Sequence, residues 1–336
     1  MSGGIDSSVA AALVEKSGAE TVGVFMRLYP GSLKGSQKKA QEVARVLGIP
    51  FYILNFEKDF KKKVIDYFLR EYKKGRTPNP CVVCNQEIKF GLLLKQVKKM
   101  KADFLATGHY IQKSTTKAKL IYKLLRAKDK SKDQSYFLWK LNQRQLKHIL
   151  FPLGNYTKEE VKSLAKKFKL PVLNVPESKE ICFIKNTCHD FLSRHLKLNP
   201  GKIVEAKGKI IGQHKGLWFY TVGQRKGIKL PGGPFYVVDK NLKKNLLIVS
   251  KDKKDLEKKE LTAENVNWIS GKELNLPLRI KAKIRYRHKL ASAIICQEKQ
   301  KTKNKILFKK AQRAITPGQS VVFYKGTELL GGGIIS

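Results

Sequence analysis

From Thr21 to about residue 110, short runs of β-branched and aromatic residues alternate with segments whose apolar positions recur every three or four residues. Thr21-Val22-Gly23-Val24-Phe25-Met26 predicts a strand. Ala40, Val43, Ala44 and Leu47 predict a helix that stops at Gly48-Ile49-Pro50. Phe51-Tyr52-Ile53-Leu54 is the next strand, and Phe60, Val64, Phe68 and Tyr72 line one face of a second helix. Phe104-Leu105-Ala106 reads as a buried strand running into Thr107-Gly108-His109. This β-α-β-α order implies an α/β fold with a doubly wound parallel sheet, ligands binding at the carboxyl ends of its strands. Thr157 and Glu160 form a capping box ahead of Val161, Leu164, Ala165 and Phe168, with Pro171 beyond the stop, so another helix belongs there.

After about residue 190 the pattern changes. Gly, Pro and short β-type runs dominate from Pro200-Gly201 through Trp218-Phe219-Tyr220 and Phe235-Tyr236-Val237-Val238, which predicts a small separate β-rich unit. The charged run Lys251 to Glu260 reads as a linker or an exposed helix. Beyond it Leu278, Ile280, Ala282 and Ile284 alternate with Arg279, Lys281, Lys283 and Arg285, which predicts a strand of a small barrel or sandwich with a basic outer face. No internal repeat interrupts this order. A chain of 336 residues accommodates two or three such domains, each with its own core.

Charge changes the picture most. Lys and Arg number 69 against 27 Asp and Glu, a net charge of +42. A polyanionic partner, nucleic acid above all, accounts for such an excess. A general lysine bias is the alternative, because runs such as Lys61-Lys62-Lys63 also read as solvated helix faces. Five cysteines are too few for a secreted disulfide framework and fit a reducing cytoplasm. No apolar run approaches the ~20 residues of a membrane span, so no membrane role is expected.

The chemistry is concentrated in two motifs. Ser2-Gly3-Gly4-Ile5-Asp6-Ser7-Ser8 is an SGGxDS loop, whose glycines let N–H groups approach phosphate oxygens at the start of the Val9, Ala10, Ala12, Leu13 helix. It is not a Walker A loop, because no Lys stands in or beside it in the sequence. An ATP held there is open to attack at the α-phosphate with pyrophosphate leaving. The bland reading is a Gly-Gly turn before a helix. Asn79-Pro80-Cys81-Val82-Val83-Cys84-Asn85 then places a CxxC in a proline-bounded loop. It reads as a zinc half-site completed by Cys182 with Cys188 or His189, as a redox pair, or as sulfur-carrying thiols favoured as thiolates by Arg76 and Lys89. Cys182, flanked by Ile181 and Phe183-Ile184, is on its own a small buried hydrophobe.

Taken together, the chain resembles the tRNA-specific 2-thiouridylases of the bacterial MnmA type, PP-loop ATP pyrophosphatases, nearly end to end. Besides SGGIDSS it carries TPNPCVVCNQEIKF (Thr77 to Phe90), ATGHY (Ala106 to Tyr110), KDQSYFL (Lys132 to Leu138), FPLG (Phe151 to Gly154) and SKEICFI (Ser178 to Ile184). YTVGQRKG (Tyr220 to Gly227), RYR (Arg285 to Arg287), ITPGQSVVFY (Ile315 to Tyr324) and LGGG (Leu330 to Gly333) follow. The resemblance implies a catalytic α/β domain over 1–190 and two small β-rich tRNA-binding domains over 191–256 and 257–336, the last a β-barrel. It implies ATP contacts at Met1, Ser2, Gly3, Gly4, Ile5, Asp6, Ser7, Met26 and Gly108. Asn79, Pro80 and Cys81 match the segment that touches the target base, Cys84 the nucleophile and Cys182 the persulfide carrier. His109, Lys132, Asp133, Gln134, Arg285, Tyr286 and Gln319 match tRNA contacts.

The implied reaction adenylates O2 of the wobble uridine of tRNAs for Lys, Glu and Gln, then transfers sulfur to C2 from a persulfide loaded on Cys182 by a cysteine desulfurase or a relay protein. Cys84 releases that sulfur or resolves the intermediate as a disulfide with Cys182. Asp6 is expected to help hold Mg²⁺ on the departing pyrophosphate. The chain departs from the family in three places. A strand normally precedes SGGxDS, whereas here the loop begins at residue 1, and the true start is expected upstream. The loop after Met26 is short and lacks the Trp and Cys-containing insert of many relatives. Cys81 stands where many members have Asp, and with Cys84 and Cys182 it offers three thiolates to an iron-sulfur cluster. Two rivals remain: a PP-loop tRNA enzyme that installs nitrogen, which needs neither Cys84 nor Cys182, and a basic tRNA-binding protein with an impaired catalytic domain.

Overall fold

The computed structural model describes residues 1–29, 34–116, 120–173, 175, 181–298 and 303–336. The chain opens into α1 (Ile5–Glu15), which buries Val9, Ala10 and Ala12. β1 (Gly23–Arg27) and β2 (Phe51–Asn55) pair in parallel across α2 (Lys34–Val46), and α2 covers them with fully buried Ala40 and Val43. α3 (residues 57–73) carries Phe60, Val64, Phe68 and Tyr72 on its buried face as the spacing predicts. A strict four-residue repeat drifts ~40° per step on an α-helix. The π geometry over Lys61–Ile65 turns the chain back, so the four aromatic and aliphatic groups stay in line.

α4 (residues 80–99) starts at Pro80 and is also π-helical in part, over Asn85–Leu93. β3 (Leu105–Ala106) is shorter than its apolar run, since Phe104 is 52% exposed. The hairpin β4 (Ile111–Thr116) and β5 (Ile121–Arg126) and the single turn α5 (Gln143–Leu146) lead to β6 (Ile149–Leu150), which pairs in parallel with β3. α6 (Lys158–Lys167) begins with the predicted capping box, Thr157 with Glu160. α7 (Cys188–His195) is capped by the Thr187 hydroxyl.

The second region is a four-stranded sheet of β7 (Gly201–Glu205), β8 (Ile210–His214), β9 (Tyr236–Asn241) and β10 (Leu246–Ser250), in the order β8-β7-β10-β9, with Ile203, Val237, Leu247 and Val249 in its core. The charged run from Lys251 is neither linker nor helix. It makes a 3₁₀ turn over Lys253–Leu256 that buries Leu256, then enters β11 (Glu257–Trp268). β12 (Leu278–Lys283), β13 (Ala291–Gln297), β14 (Lys303–Arg313), β15 (Ser320–Lys325) and β16 (Glu328–Ile335) complete a six-stranded barrel, closed by β16 on β11 with Ala263 opposite Ile335. Ile280 and Ala282 point inward between exposed Arg279 and Lys281, the alternation expected from the sequence.

The barrel is not a separate bead. β5 pairs with β16, Leu125 opposite Glu328 and Leu124 opposite Leu329, so the β4–β5 hairpin extends the barrel into an eight-stranded sheet. One core runs through the junction, joining Phe90, Tyr136 and Trp139 to Ile269, Val322 and Tyr324.

Candidate active site

The phosphate loop is a bend at Ser2–Gly4 feeding α1. Gly3 has φ +76°, and a Cβ there would lie 2.3 Å from the Ser36 carbonyl oxygen, so only glycine fits. The Ser2 and Ser7 hydroxyls are 2.9 Å apart, and those of Ser7 and Ser8 each donate to the Gly4 carbonyl at 3.0 Å. Gly4 caps the helix without a side-chain acceptor, leaving the first-turn N–H groups open to an anion. Gly108 closes the far side, where a Cβ would meet the Ser7 nitrogen and the Asp6 carbonyl carbon at 2.7 Å. The Met1 amine donates to the Val24 carbonyl, and Met26 sits part-buried on β1.

The Asp6 carboxylate accepts from the Tyr110 hydroxyl at 2.7 Å and pairs with Lys158 Nζ at 2.7 Å. Lys158 is 5% exposed. The fold thus brings to the loop the lysine that its own sequence lacks, carried on the first residue of α6. A signal for it was available: a basic residue in a helical first turn beside Glu159 and Glu160 works against the helix dipole and needs another reason to be there.

The segments that carry the thiols come together where α4 begins. Cys84 is buried among Val83, Ile88, Phe183 and Ile184. The Phe183 ring packs edge-on against Phe60, Phe68 and Phe191 at 5.2–5.8 Å, which carries the adjoining Cys182 to the same place, and the Tyr29 hydroxyl donates to the Cys182 carbonyl. Cys182 is therefore no buried hydrophobe: the residue is exposed, although its thiol is crowded. Burial pushes the Cys84 thiol up to about 12; Lys89 pulls it down, and charge on Cys182 or Cys81 pushes it up. Cys182 is pushed up to about 11 by burial and by Cys81, and burial also raises Cys81, again with Lys89 opposing.

Nearby positive charge thus acts as expected from Lys89 alone, and desolvation outweighs it. Arg76 is instead tied to Glu264 at 2.6 Å and Glu71 at 3.7 Å. All five cysteines are free. Among the described residues no group of three or more His, Cys, Asp or Glu side chains could hold a metal ion. Thiols that are not grouped among the described residues for one metal ion do not fit an iron-sulfur cluster.

The loop ahead of Cys81 is held by two later parts of the chain, the barrel and the central region. The Thr77 N–H donates to the Pro317 carbonyl at 2.9 Å, Gln319 Nε2 donates to the Thr77 carbonyl at 2.8 Å, and the Thr77 and Thr221 hydroxyls are 3.1 Å apart. Arg285 donates to the Val222 and Ala314 carbonyls at 2.9 and 3.1 Å and to the Thr316 hydroxyl. Arg285 and Gln319, expected at the tRNA, are here the ties between barrel, central sheet and thiol loop. The Tyr286 ring lies tilted at 43° against Phe137 with centroids 4.4 Å apart, and Asn79 reaches the Tyr136 hydroxyl.

Two other expected tRNA contacts lie inside. Asp133 is 3% exposed, with its carboxylate taken by Arg126 at 2.9 Å, the Ser135 hydroxyl at 3.0 Å and the Ala127 N–H. A carboxylate so neutralised ties the end of β5 to the Ser135 turn. His109 is likewise buried between Phe90 and Phe151, bonded through Nδ1 to the Thr107 hydroxyl, and held neutral by burial. Gln134 accepts from the Tyr110 N–H at 2.9 Å, and Lys132 is half-buried. Ser178, Lys179 and Glu180 of the SKEICFI motif, and the end of the loop after Met26, lie outside the described residues. Among the described residues no helix is long and apolar enough to cross a membrane.

Comparison with known proteins agrees along the whole chain. Residues 1–186 match the tRNA methyl transferase HUP domain, 189–251 the tRNA methyl transferase PRC-barrel domain, and 258–335 the aminomethyltransferase beta-barrel domain. The chain is 46% identical to a tRNA-specific 2-thiouridylase of Thermoanaerobacter sp. (strain X514), covering 100% of this chain and 96% of that protein. It is 45% identical to the corresponding protein of Clostridioides difficile (strain 630), with the same coverage. An NMN synthetase structure from Francisella tularensis shares 17% identity over 53% of this chain and 63% of its own, at a TM-score of 0.35. By the matched domains and by these full-length relatives, the chain belongs to the tRNA-specific 2-thiouridylase family.

Proposed function

We propose that this protein converts the wobble uridine of tRNAs for Lys, Glu and Gln to 2-thiouridine in the cytoplasm, consuming ATP. The observation that carries the reading is that Cys84 and the segment flanking Cys182, from distant parts of the chain, pack into one apolar cluster on a fold whose other motif is an open phosphate loop. A protein that only bound tRNA would need neither, and one that installed nitrogen would not need the thiols. The basic strand faces supply the electrostatic attraction for RNA.

A uracil oxygen leaves badly, so O2 is first joined to the α-phosphate of ATP and pyrophosphate departs. Gly3, Gly4 and Gly108 give the phosphates room, and the open N–H groups of α1 with Lys158 balance their charge. Asp6 is the loop carboxylate able to meet a Mg²⁺ carried on those phosphates. The terminal sulfur of a Cys182 persulfide, loaded by a desulfurase or relay protein, then attacks C2 and AMP leaves. Cys84 thiolate attacks Sγ of Cys182, the S–S bond to the substrate breaks, and 2-thiouridine is released with a Cys84–Cys182 disulfide that an external thiol must reduce.

The test is sulfur incorporation into tRNA with ATP, labelled cysteine and a desulfurase. Label in the wobble uridine is expected with the wild type and ATP together, and none with Cys182→Ala. Equal labelling by Cys182→Ala, or labelling without ATP, would overturn the reading.

A further inference from the structure

Lys89 pulls on the thiols from five positions after Cys84. In an α-helix the residue five positions after Cys84 lies ~140° round the axis, away from it. Over Asn85–Leu93 the bonding is i→i+5 instead, which brings the residue five positions on to within ~50° of the one a turn below, so Lys89 comes round to the Cys84 side. Gly91 belongs to the same device, since a Cβ there would press on the Gln86 carbonyl oxygen at 2.8 Å. From there its charge is felt by the Cys81, Cys84 and Cys182 thiols, by His109 and by the Met1 amine.

The other charges around it are committed. Glu87 pairs with Lys63 at 2.7 Å, Asp6 with Lys158 at 2.7 Å, and His109 is held neutral. Among the described residues no carboxylate lies within ion-pair distance of Lys89. A half-buried lysine without a counter-ion among the described residues, one helical turn from Cys84, is arranged for an anion.

We propose that Lys89 is the cation of the sulfur-transfer site, turned onto the Cys84 face by the π-helical segment to hold the anionic sulfur and the phosphate that leaves with AMP. This rests on the sulfur-transfer reading above. Lys89 makes no bond and moves no proton; it is a positioning residue that keeps a thiolate or persulfide anion paired while the base is attacked.

The ratio of alkylation rates by iodoacetate and iodoacetamide, read cysteine by cysteine by mass spectrometry, tests it without ATP or tRNA. Thiol ionisation and access largely cancel in the ratio, which leaves the local potential felt by the anionic reagent. In Lys89→Met the ratio at Cys84 and Cys182 is expected to fall at least about threefold. Lys89→Arg should keep it, and Cys296, in the barrel, should not change in either. An unchanged ratio at Cys84 and Cys182 in Lys89→Met, with Cys296 reacting as in the wild type, overturns the assignment. If Lys89→Met disturbs the fold, seen as faster alkylation of Cys296, Lys89→Gln is read in its place by the same criteria. A lost ratio with a silent thiolation assay in the wild type would sink the functional reading and leave the anion site standing.

Discussion

The phosphate loop is assembled from main chain and short side chains within Ser2–Ser8, with Gly108 and Lys158 closing it from outside, whereas the start of the thiol helix is held by segments of the barrel and the central region. The first is a local solution. Its specificity lies in backbone N–H groups, which any sequence possesses, made accessible by the absence of two side chains. The second is a global one: the Thr77–Asn79 loop has its place only because Pro317, Gln319 and Thr221 are each already in theirs. The two should therefore fail differently, one by a single atom in the wrong place and the other by gradual loosening.

The sharpest break is Gly108→Ala. A methyl 2.7 Å from the Ser7 nitrogen has no rotamer to escape through, and overpacking of that kind costs about 1–3 kcal/mol. ATP affinity should fall about tenfold to a hundredfold by calorimetric titration, with alkylation of Cys84 unaltered. Equal loss at both ends would show that the site is not divided in this way.

Gln319→Ala tests the other end with a smaller effect. Removing one donor to the Thr77 carbonyl forfeits about 1 kcal/mol, so sulfur transfer should slow by up to about tenfold while ATP binding is preserved. Parallel single-turnover and ATP-titration measurements would separate the two. Smallest of all is Arg76→Gln. The pair with Glu264 is partly exposed, 30% and 23%, and such pairs contribute about 0.2–1 kcal/mol. A stability loss in that range by denaturant titration, shrinking in high salt, would mark Arg76 as a rim tie rather than part of the thiol chemistry.

The same division explains what could be read from the chain. The parallel crossover, the buried face Phe60-Val64-Phe68-Tyr72, the Thr157 capping box and the alternating strand at Leu278 depend on neighbours in sequence, and they stand where periodicity puts them. The glycines of the loop were legible for the same reason. Lys158 was not, because its pairing with Asp6 spans most of the catalytic region and leaves only an ill-placed charge in a first turn as a trace. Nor was the burial of Asp133 and His109, since a polar residue in a motif looks alike whether it faces solvent or Arg126. The charged run from Lys251 misled because Leu256 alone, among many lysines, anchors it.

β16 has three partners along its length: β15, β11 and, through Glu328 and Leu329, the β5 edge of the hairpin. That hairpin is made before the middle of the chain, and its partner comes almost last. During synthesis the catalytic region must wait, with a sheet edge uncovered, for more than half the protein to follow it out of the ribosome. The enzyme is thus finished in reverse: the barrel that follows last in sequence supplies the cover under which the first region sets.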